Sequence, residues 1–168
     1  SPTSTRPVTS EGRSILVGRI CGLIRFMGAT ADLDLRSVGN GGHVEDATGY
    51  DIIFGADQAG VTLLDHQIES YDRTTGEYVA WVRIPTLYAG ADTTIYMLYG
   101  NSSVTTSQEN QNAVWDANHK GVWHFSEGSG GSTTFQDSTS NNVDASTNGT
   151  QITSGTTGQI GKAVAHDV

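Results

Sequence analysis

Cysteine and long apolar runs are the first features that this 168-residue sequence lacks. Its one cysteine is Cys21, so no disulfide can form within the chain. No apolar run reaches the roughly 18 residues that a membrane-spanning helix needs. The most apolar stretch, residues 14–26, contains Arg19 and Arg25, which the hydrophobic region of a signal peptide should not carry. We therefore expect neither a disulfide scaffold nor membrane insertion.

Basic residues are also scarce. The chain has 9 Lys and Arg against 18 Asp and Glu, and its net charge of −9 would repel nucleic acid. Charged residues make up only 16% of the chain, which holds 21 glycines and many Ser, Thr and Asn residues. This composition is typical of all-β proteins with many turns. We predict an antiparallel, jelly-roll-like β-sandwich with little or no helix.

Charge is distributed unevenly along the chain. Residues 1–30 contain four arginines and one acidic residue, Glu11, whereas the rest of the chain is strongly acidic. We predict that residues 1–30 form an atypical basic leader that is foreign to the rest or partly disordered. Ile15 and Val17 are good strand formers, so residues 14–26 can still supply a strand.

Short strand signals follow, separated by turn residues. They predict strands at residues 50–54, 61–64, 67–71, 78–84, 93–99, 121–125 and near the end of the chain at GKAV. The segments 67–71 and 78–84 suit a hairpin that turns at Gly76. Alternation along 78–84 predicts Tyr78, Ala80 and Val82 on one face and Trp81 on the other. Residues 102–112 read as a polar connector without periodicity.

Four stretches carry a family resemblance: DHQIESYD, EYVAWVRIPTL, ADTTIYMLYGN and AVWDANHKGVWHFSEGSG. They resemble the bacterial domain of unknown function 2341, which occurs in large exported and cell-surface proteins. The later stretch HFSEGSGG…GQIGKAV resembles the first strands of a concanavalin A-like, laminin-G-like lectin domain. The resemblance implies a β-sandwich module at 31–112 and a truncated lectin-like domain at 113–168. It also implies a secreted or cell-surface location, with unpaired strands that can join the module or swap between copies in a homo-oligomer.

Histidines and carboxylates near residue 120 suggest a metal site. Asp116, His119 and His124 lie within nine residues, and together with water they could bind zinc and activate that water for hydrolysis. Calcium fits the composition better, because its oxygen ligands come from acidic loops such as Asp32–Asp34, Asp57–Gly60 and Asp137–Asp144. Simple structural roles for the same histidines compete with the zinc interpretation.

Paired carboxylates suggest a catalytic alternative. Glu69 and Asp72 are three residues apart, and two carboxyl groups at suitable separation can hydrolyse a glycosidic bond. In the competing interpretation Glu69 faces solvent and Asp72 caps the turn that follows the strand.

Tryptophans suggest carbohydrate binding. Trp81, Trp115 and Trp123 could stack on the apolar faces of sugar rings, provided that they are exposed; alternatively, Trp81 and Trp123 belong to the core. No nucleophile elbow, H-E-x-x-H motif, phosphate loop or dinucleotide fingerprint is present. We therefore favour a non-catalytic recognition or structural module that binds polysaccharide or glycan. The alternatives are a metal-dependent hydrolase and a structural spacer.

Overall fold

The regular secondary structure of the described residues is almost entirely antiparallel strand, as the composition predicts. A computed structural model describes residues 13–17, 23–26, 33–87, 91, 93–127, 134–147, 152–158 and 161–166. The strands are β1 (Arg13–Val17), β2 (Leu23–Phe26), β3 (Ile53–Gly55), β4 (Leu63–Leu64), β5 (His66–Asp72), β6 (Glu77–Val82), β7 (Thr93–Leu98), β8 (Thr134–Phe135), β9 (Ala145–Ser146), β10 (Ile152–Thr157) and β11 (Lys162–His166). One short helix, α1 (Gln111–Val114), and two 3-10 turns, Leu33–Leu35 and Val38–Asn40, complete the described elements.

Two sheets enclose the main core. One has the strand order β1-β7-β3-β4, and the other has the order β2-β6-β5. Phe54 of the first sheet and Tyr78 of the second are both fully buried, and their ring centroids lie 6.3 Å apart. Ile95 and Met97 of β7 belong to the same buried cluster. This sandwich-like arrangement confirms the predicted all-β class.

The hairpin β5–β6 follows the pattern expected from its sequence. Its turn closes at Gly76, whose amide donates to the Asp72 carbonyl and whose φ of 77° suits glycine. Tyr78, Ala80 and Val82 face the core, which confirms the predicted face of β6. Trp81 lies on the opposite face of the sheet.

A β-bulge interrupts β5 at Glu69. Ile68 pairs with Ala80 and Ser70 pairs with Val79, so Glu69 is the extra residue without a partner on β6. Such a bulge re-aims the side chains that follow it. Glu69 lies on the same side as Trp81, opposite the core-facing Ile68, and the bulge returns Tyr71 to the core beside Tyr78.

Described residues between 113 and 166 cover that second face of the three-stranded sheet. The rings of Trp115 and His124 lie 5.2 Å and 5.9 Å from the ring of Trp81. The hairpin β10–β11 also reaches the sheet, since the Lys162 amide donates to the Glu69 carboxylate. Gly161 approaches so closely that a Cβ there would lie 1.9 Å from Glu69 Oε1.

Two local predictions differ from the structure. Residues 121–125 were expected to form a strand, but only Trp123 makes an isolated bridge, to Asp137. One reason is that the Val122 amide donates a hydrogen bond to the Asp137 carboxylate instead of to a neighbouring strand. The other is that Phe125 has a left-handed φ of 55°, which interrupts the extended backbone. The predicted polar connector 102–112 contains the start of α1, and Asn110 donates its amide to the His66 carbonyl at the edge of β5.

The predicted leader contributes two strands among its described residues. β1 pairs with β7 and β2 pairs with β6, so both sheets gain an outer strand from this segment. The origin of residues 1–30 stays a prediction, and Cys21 lies outside the described residues. Within the described part of the chain, no helix is long and apolar enough to cross a bilayer.

Candidate functional site

A polar cavity of about 180 Å³ lies beside the edge of β5. Four carboxylates reach its wall, from Glu69, Glu109, Glu127 and Asp137, together with the imidazole of His124. Amide and hydroxyl side chains supply most of the remaining wall, from Gln67, Gln111, Ser126, Gln136 and Ser138. Among the residues that the structure describes, no lysine or arginine lines it. We call this space the acidic cavity.

Glu69 is a nearly buried member of this group of carboxylates. Its side chain is only 3% exposed, and Oε2 accepts hydrogen bonds from Trp81 Nε1 at 2.8 Å and from His124 Nδ1. Burial alone would raise the pKa of Glu69. The hydrogen bonds from His124 and Trp81 outweigh burial, so its pKa lies below the ordinary value and the group is ionised at neutral pH.

His124 is oriented by Glu69. An ionised carboxylate can only accept, so Nδ1 carries the proton in this pair. The ring also packs 5.9 Å from those of Trp81 and Trp115. Its other nitrogen, Nε2, is buried and has no hydrogen-bond partner. Nε2 accepts a hydrogen bond when the ring is neutral and donates one when it is protonated, and the residue lines the acidic cavity.

Glu127, which also lines the cavity, has a second unpartnered atom. Its Oε1 accepts the Gln136 amide at 2.8 Å, whereas Oε2 is buried without a partner. Phe125 allows this arrangement, because its left-handed backbone turns the chain between His124 and Glu127. A bulky residue rarely adopts this conformation, and the contact of Phe125 with Phe135, 5.2 Å between ring centroids, helps to hold it.

Glu109 and Asp137 accept hydrogen bonds from backbone amides beside the same cavity. Glu109 accepts the Ile68 amide at 2.7 Å and so covers the exposed edge of β5 beside the bulge. Asp137 accepts the amides of Val122, Thr139 and Val143, and these bonds hold its pKa far below the ordinary value although its burial acts in the opposite direction. Asp137 therefore ties three loop segments together.

The tryptophans are anchors within this layer. Trp81 Nε1 donates to Glu69, and Trp115 Nε1 donates to Gln67 Oε1 at 2.8 Å. Gln67 in turn donates to Ser138 Oγ at 2.8 Å. Trp123 Nε1 donates to the Val143 carbonyl at 3.2 Å. All three indoles are half-buried, Trp81 and Trp115 support two residues of the cavity wall, and stacking of the tryptophans on sugar rings stays a prediction.

The structure separates the three residues predicted to bind zinc. Asp116 and His119 pair with each other on an exposed loop, where Asp116 Oδ1 and His119 Nδ1 are 3.0 Å apart. His124 Nδ1 instead faces Glu69. In the part of the chain that the structure describes, no group of three or more His, Cys, Asp or Glu side chains is arranged to hold a metal ion. The zinc site stays a prediction.

The predicted calcium loops use their carboxylates internally. Asp57 accepts the amides of Val61 and Thr62, and Asp144 accepts the amide of Asp137. Asp34 lies 3.5 Å from His43, and Asp32 lies outside the described residues. These contacts leave calcium binding untested.

The two catalytic candidates do not form a pair. Asp72 accepts the Thr74 amide and hydroxyl and so caps the turn after β5, as its competing interpretation predicts. It lines a second, open cavity of about 290 Å³ beside β10–β11. Glu69 lines the acidic cavity, and the expectation that it faces solvent is wrong. The difference arises because His124 and Trp81 cover Glu69 on that face of the sheet.

A family model for a domain of unknown function, DUF2341, matches residues 48–150, which is more than half of the chain. The chain belongs to this family. No curated protein and no solved structure matches it. The DUF2341 match runs past residue 112, where a second domain was expected to begin, and it includes every residue that lines the acidic cavity. The cavity is therefore built within the DUF2341 segment itself.

Proposed function

We propose that this chain is a recognition module of an exported bacterial surface protein and that it binds a glycan end in the acidic cavity. In this proposal residues 113–168 are the opening strands of a concanavalin A-like domain that also provide one wall of the cavity. The observation that carries the proposal is that two residues lining the cavity, His124 and Glu127, each have a buried polar atom without a partner, Nε2 and Oε2. Buried polar groups in native proteins nearly always have partners, so these two atoms call for a ligand or for water.

The hydrogen-bonding groups of the cavity fit hydroxylated ligands. Carboxylates and the imidazole accept from sugar hydroxyls, while Gln111 and Gln136 can both donate and accept. A hydrogen bond to a charged group stabilises by about 1.5–3 kcal/mol, so a few such bonds give measurable affinity. The volume of about 180 Å³ is below the roughly 300 Å³ of pockets for drug-sized ligands. It suits a single sugar ring or the end of a chain.

Rigid support of the binding groups favours recognition. Trp81 and His124 hold Glu69, while Trp115 and Ser138 hold Gln67, so the wall is organised before a ligand arrives. A preorganised wall lowers the entropic cost of binding. The tryptophans thus serve recognition in this proposal by fixing polar groups, without stacking on the sugar.

Glycan arrays and ligand-observed NMR test the proposal. We expect the wild-type chain to retain at least one class of saccharide, and His124→Asn to weaken it. The asparagine amide can replace Nδ1 as the donor to Glu69, but it removes Nε2 from the cavity. His119→Asn is the matched control, since His119 is exposed and pairs with Asp116. Retention of no glycan, or equal loss in both variants, would refute the proposal.

A hydrolase is the second candidate. The carboxylate of Glu69 orients the imidazole of His124, as a carboxylate does for a histidine that acts as a general base. Nε2 would take a proton from water as its oxygen attacks an ester carbonyl, and the leaving alkoxide would then be protonated. In the metal-dependent form, Nε2 would instead bind zinc, with Glu69 as its orienting carboxylate. Hydrolysis of chromogenic esters that falls about 100-fold or more in His124→Asn would favour this candidate. Elemental analysis after dialysis separates the two forms and also tests for calcium.

A further inference from the structure

We propose that the strands β1 and β2 are exchanged between two copies of the chain, so that each copy adds an outer strand to both sheets of the other. The exchanged sheets keep the strand order of a single copy, and only the chain that supplies the outer strand changes. This exchange is independent of ligand binding in the acidic cavity.

The DUF2341 segment needs strands from outside its own boundaries. It spans residues 48–150, whereas β1 and β2 lie before residue 27. In the sheet orders β1-β7-β3-β4 and β2-β6-β5, the strands β7 and β6 would be edges without them. Five residue pairs join β1 to β7, and four join β2 to β6. A segment outside the family match therefore completes both sheets.

The strands β6 and β7 have the character of interior strands. Their sequences, EYVAWV and TTIYML, contain one charged residue, Glu77, and neither lysine nor proline. Ala80 and Val82 of β6 and Ile95 and Met97 of β7 are buried. Natural edge strands are usually shortened or protected by charges, prolines or bulges, because unpaired amides and carbonyls attract other chains. Both β6 and β7 therefore require a strand on the side that β2 and β1 occupy.

The charge of the outer strands favours a second copy as their recipient. Residues 13–26 hold three arginines and no acidic residue, whereas residues 31–168 hold 5 Lys and Arg against 17 Asp and Glu. Two whole chains, each with a net charge of −9, repel one another. Exchange places the basic strands of each copy on the acidic body of the other, and this attraction offsets part of the repulsion.

Exchange also retains every strand pairing of the single copy. Five residues separate β1 from β2, and residues 27–32 connect β2 to the first 3-10 turn, so one crossing carries both strands to the second copy. Swapping of an identical element is a low-cost route to dimers, and short connections favour it. The remaining cost is that of bringing two chains together, which a higher protein concentration offsets. We therefore expect the exchanged dimer to increase with concentration.

Disulfide trapping between two differently labelled copies tests the exchange, with Cys21→Ser in every chain. Leu16 of β1 and Thr94 of β7 are paired in the ladder, and directly opposed strand residues lie at a separation that a disulfide can span. One copy carries Leu16→Cys and the other carries Thr94→Cys. The two are unfolded, mixed, refolded together and oxidised at a series of concentrations. In the matched control Thr74→Cys replaces Thr94→Cys, because Thr74 is also exposed but lies in the turn between β5 and β6.

We expect the mixture of Leu16→Cys and Thr94→Cys to give about tenfold or more disulfide-linked heterodimer than the control mixture, because strand pairing raises the effective concentration of the two thiols. The fraction of heterodimer should rise with protein concentration. Thermal melting shows that each variant is folded. Equal yields in the two mixtures would indicate random collision and overturn the exchange.

A single chain with both Leu16→Cys and Thr94→Cys reports pairing within one copy. If this chain forms an intramolecular disulfide while the mixture of single variants gives no heterodimer, β1 stays on its own copy and the exchange is overturned. If neither sample forms a disulfide, β1 does not pair with β7 at all, and the exchange is overturned as well.

Discussion

The carboxylate of Glu69 and the imidazole of His124 meet across 55 positions of the sequence, with Oε2 and Nδ1 2.5 Å apart in a nearly buried contact. This contact joins the bulged strand β5 to the segment that covers it. Trp81 and the Lys162 amide donate to the same carboxylate. Glu69 thus links four separate parts of the chain, and changes there should affect stability as well as the cavity.

Replacing Glu69 with glutamine should destabilise the fold by about 1.5–3 kcal/mol. The substitution keeps the shape of the side chain but removes the charge that His124 and Trp81 bind. Chemical denaturation at neutral pH measures the change in free energy of unfolding. Glu45→Gln, at an exposed position, should change it by less than about 0.5 kcal/mol. Equal effects of the two substitutions would show that Glu69 does not carry this role.

Stability should fall in two steps as the pH is lowered. Burial lowers the pKa of His66 below its ordinary 6.5, so the unfolded chain takes up a proton before the folded one, and stability decreases below about pH 6.5. Hydrogen bonds lower the pKa values of Glu69 and Asp137 below their ordinary 4.5 and 3.8. Their contribution is fully present above those values and is lost as the pH falls further.

Variants assign each step of that pH profile. His66→Phe should remove the first step, because a neutral ring of similar size cannot take up a proton. Glu69→Gln should reduce the second step and leave the first unchanged. The measurement is the free energy of unfolding from denaturant titrations at a series of pH values. A profile that is flat down to the ordinary pKa of glutamate would contradict the role of His66.

The sequence predicted the strands better than their assembly. Alternation placed Tyr78, Ala80 and Val82 in the core correctly, because a regular strand in a two-layer protein shows its burial in its periodicity. The same rule failed at Tyr71, because the bulge at Glu69 breaks the alternation and returns Tyr71 to the core, with no local signature in QIESY. It failed again at residues 121–125, where a left-handed Phe125 ends the extended chain.

The candidate site was only partly foreseen for a similar reason. Glu69 and His124 were both singled out, but each was assigned a neighbour close in sequence, Asp72 for one and His119 for the other. Their contact is long-range and depends on how residues 113–166 fold over the sheet. The sequence did not identify Glu127 or Glu109 as site residues, because isolated glutamates in polar segments are usually solvated. Tertiary packing, which one sequence does not reveal, gives them their positions.

Gly161 should be intolerant of substitution. Its φ is 63°, and any residue other than glycine would lose about 1 kcal/mol of folding free energy in that backbone conformation. A Cβ at this position would also lie 1.9 Å from Glu69 Oε1. Gly161→Ala should therefore destabilise by more than 1 kcal/mol and alter the fluorescence of Trp81, which shares that carboxylate. Gly39→Ala is the control, since no atom lies within 4 Å of its added Cβ. If the two variants melt alike, β11 does not dock on Glu69.

The indole of Trp81 and the carboxylate of Glu69 should be energetically coupled. Trp81→Phe removes the donor to Oε2 and should cost about 1–3 kcal/mol, because packing is reduced and a buried acceptor loses a bond. In a double-mutant cycle with Glu69→Gln, we expect a coupling energy of about 0.5–3 kcal/mol, since the two groups are in direct contact. Trp123→Phe provides the comparison: its indole donates to the Val143 carbonyl, so its cycle with Glu69→Gln should be additive within about 0.5 kcal/mol. Additivity in both cycles would mean that Trp81 contributes packing alone, and the charge of Glu69 would then depend on His124 and the Lys162 amide.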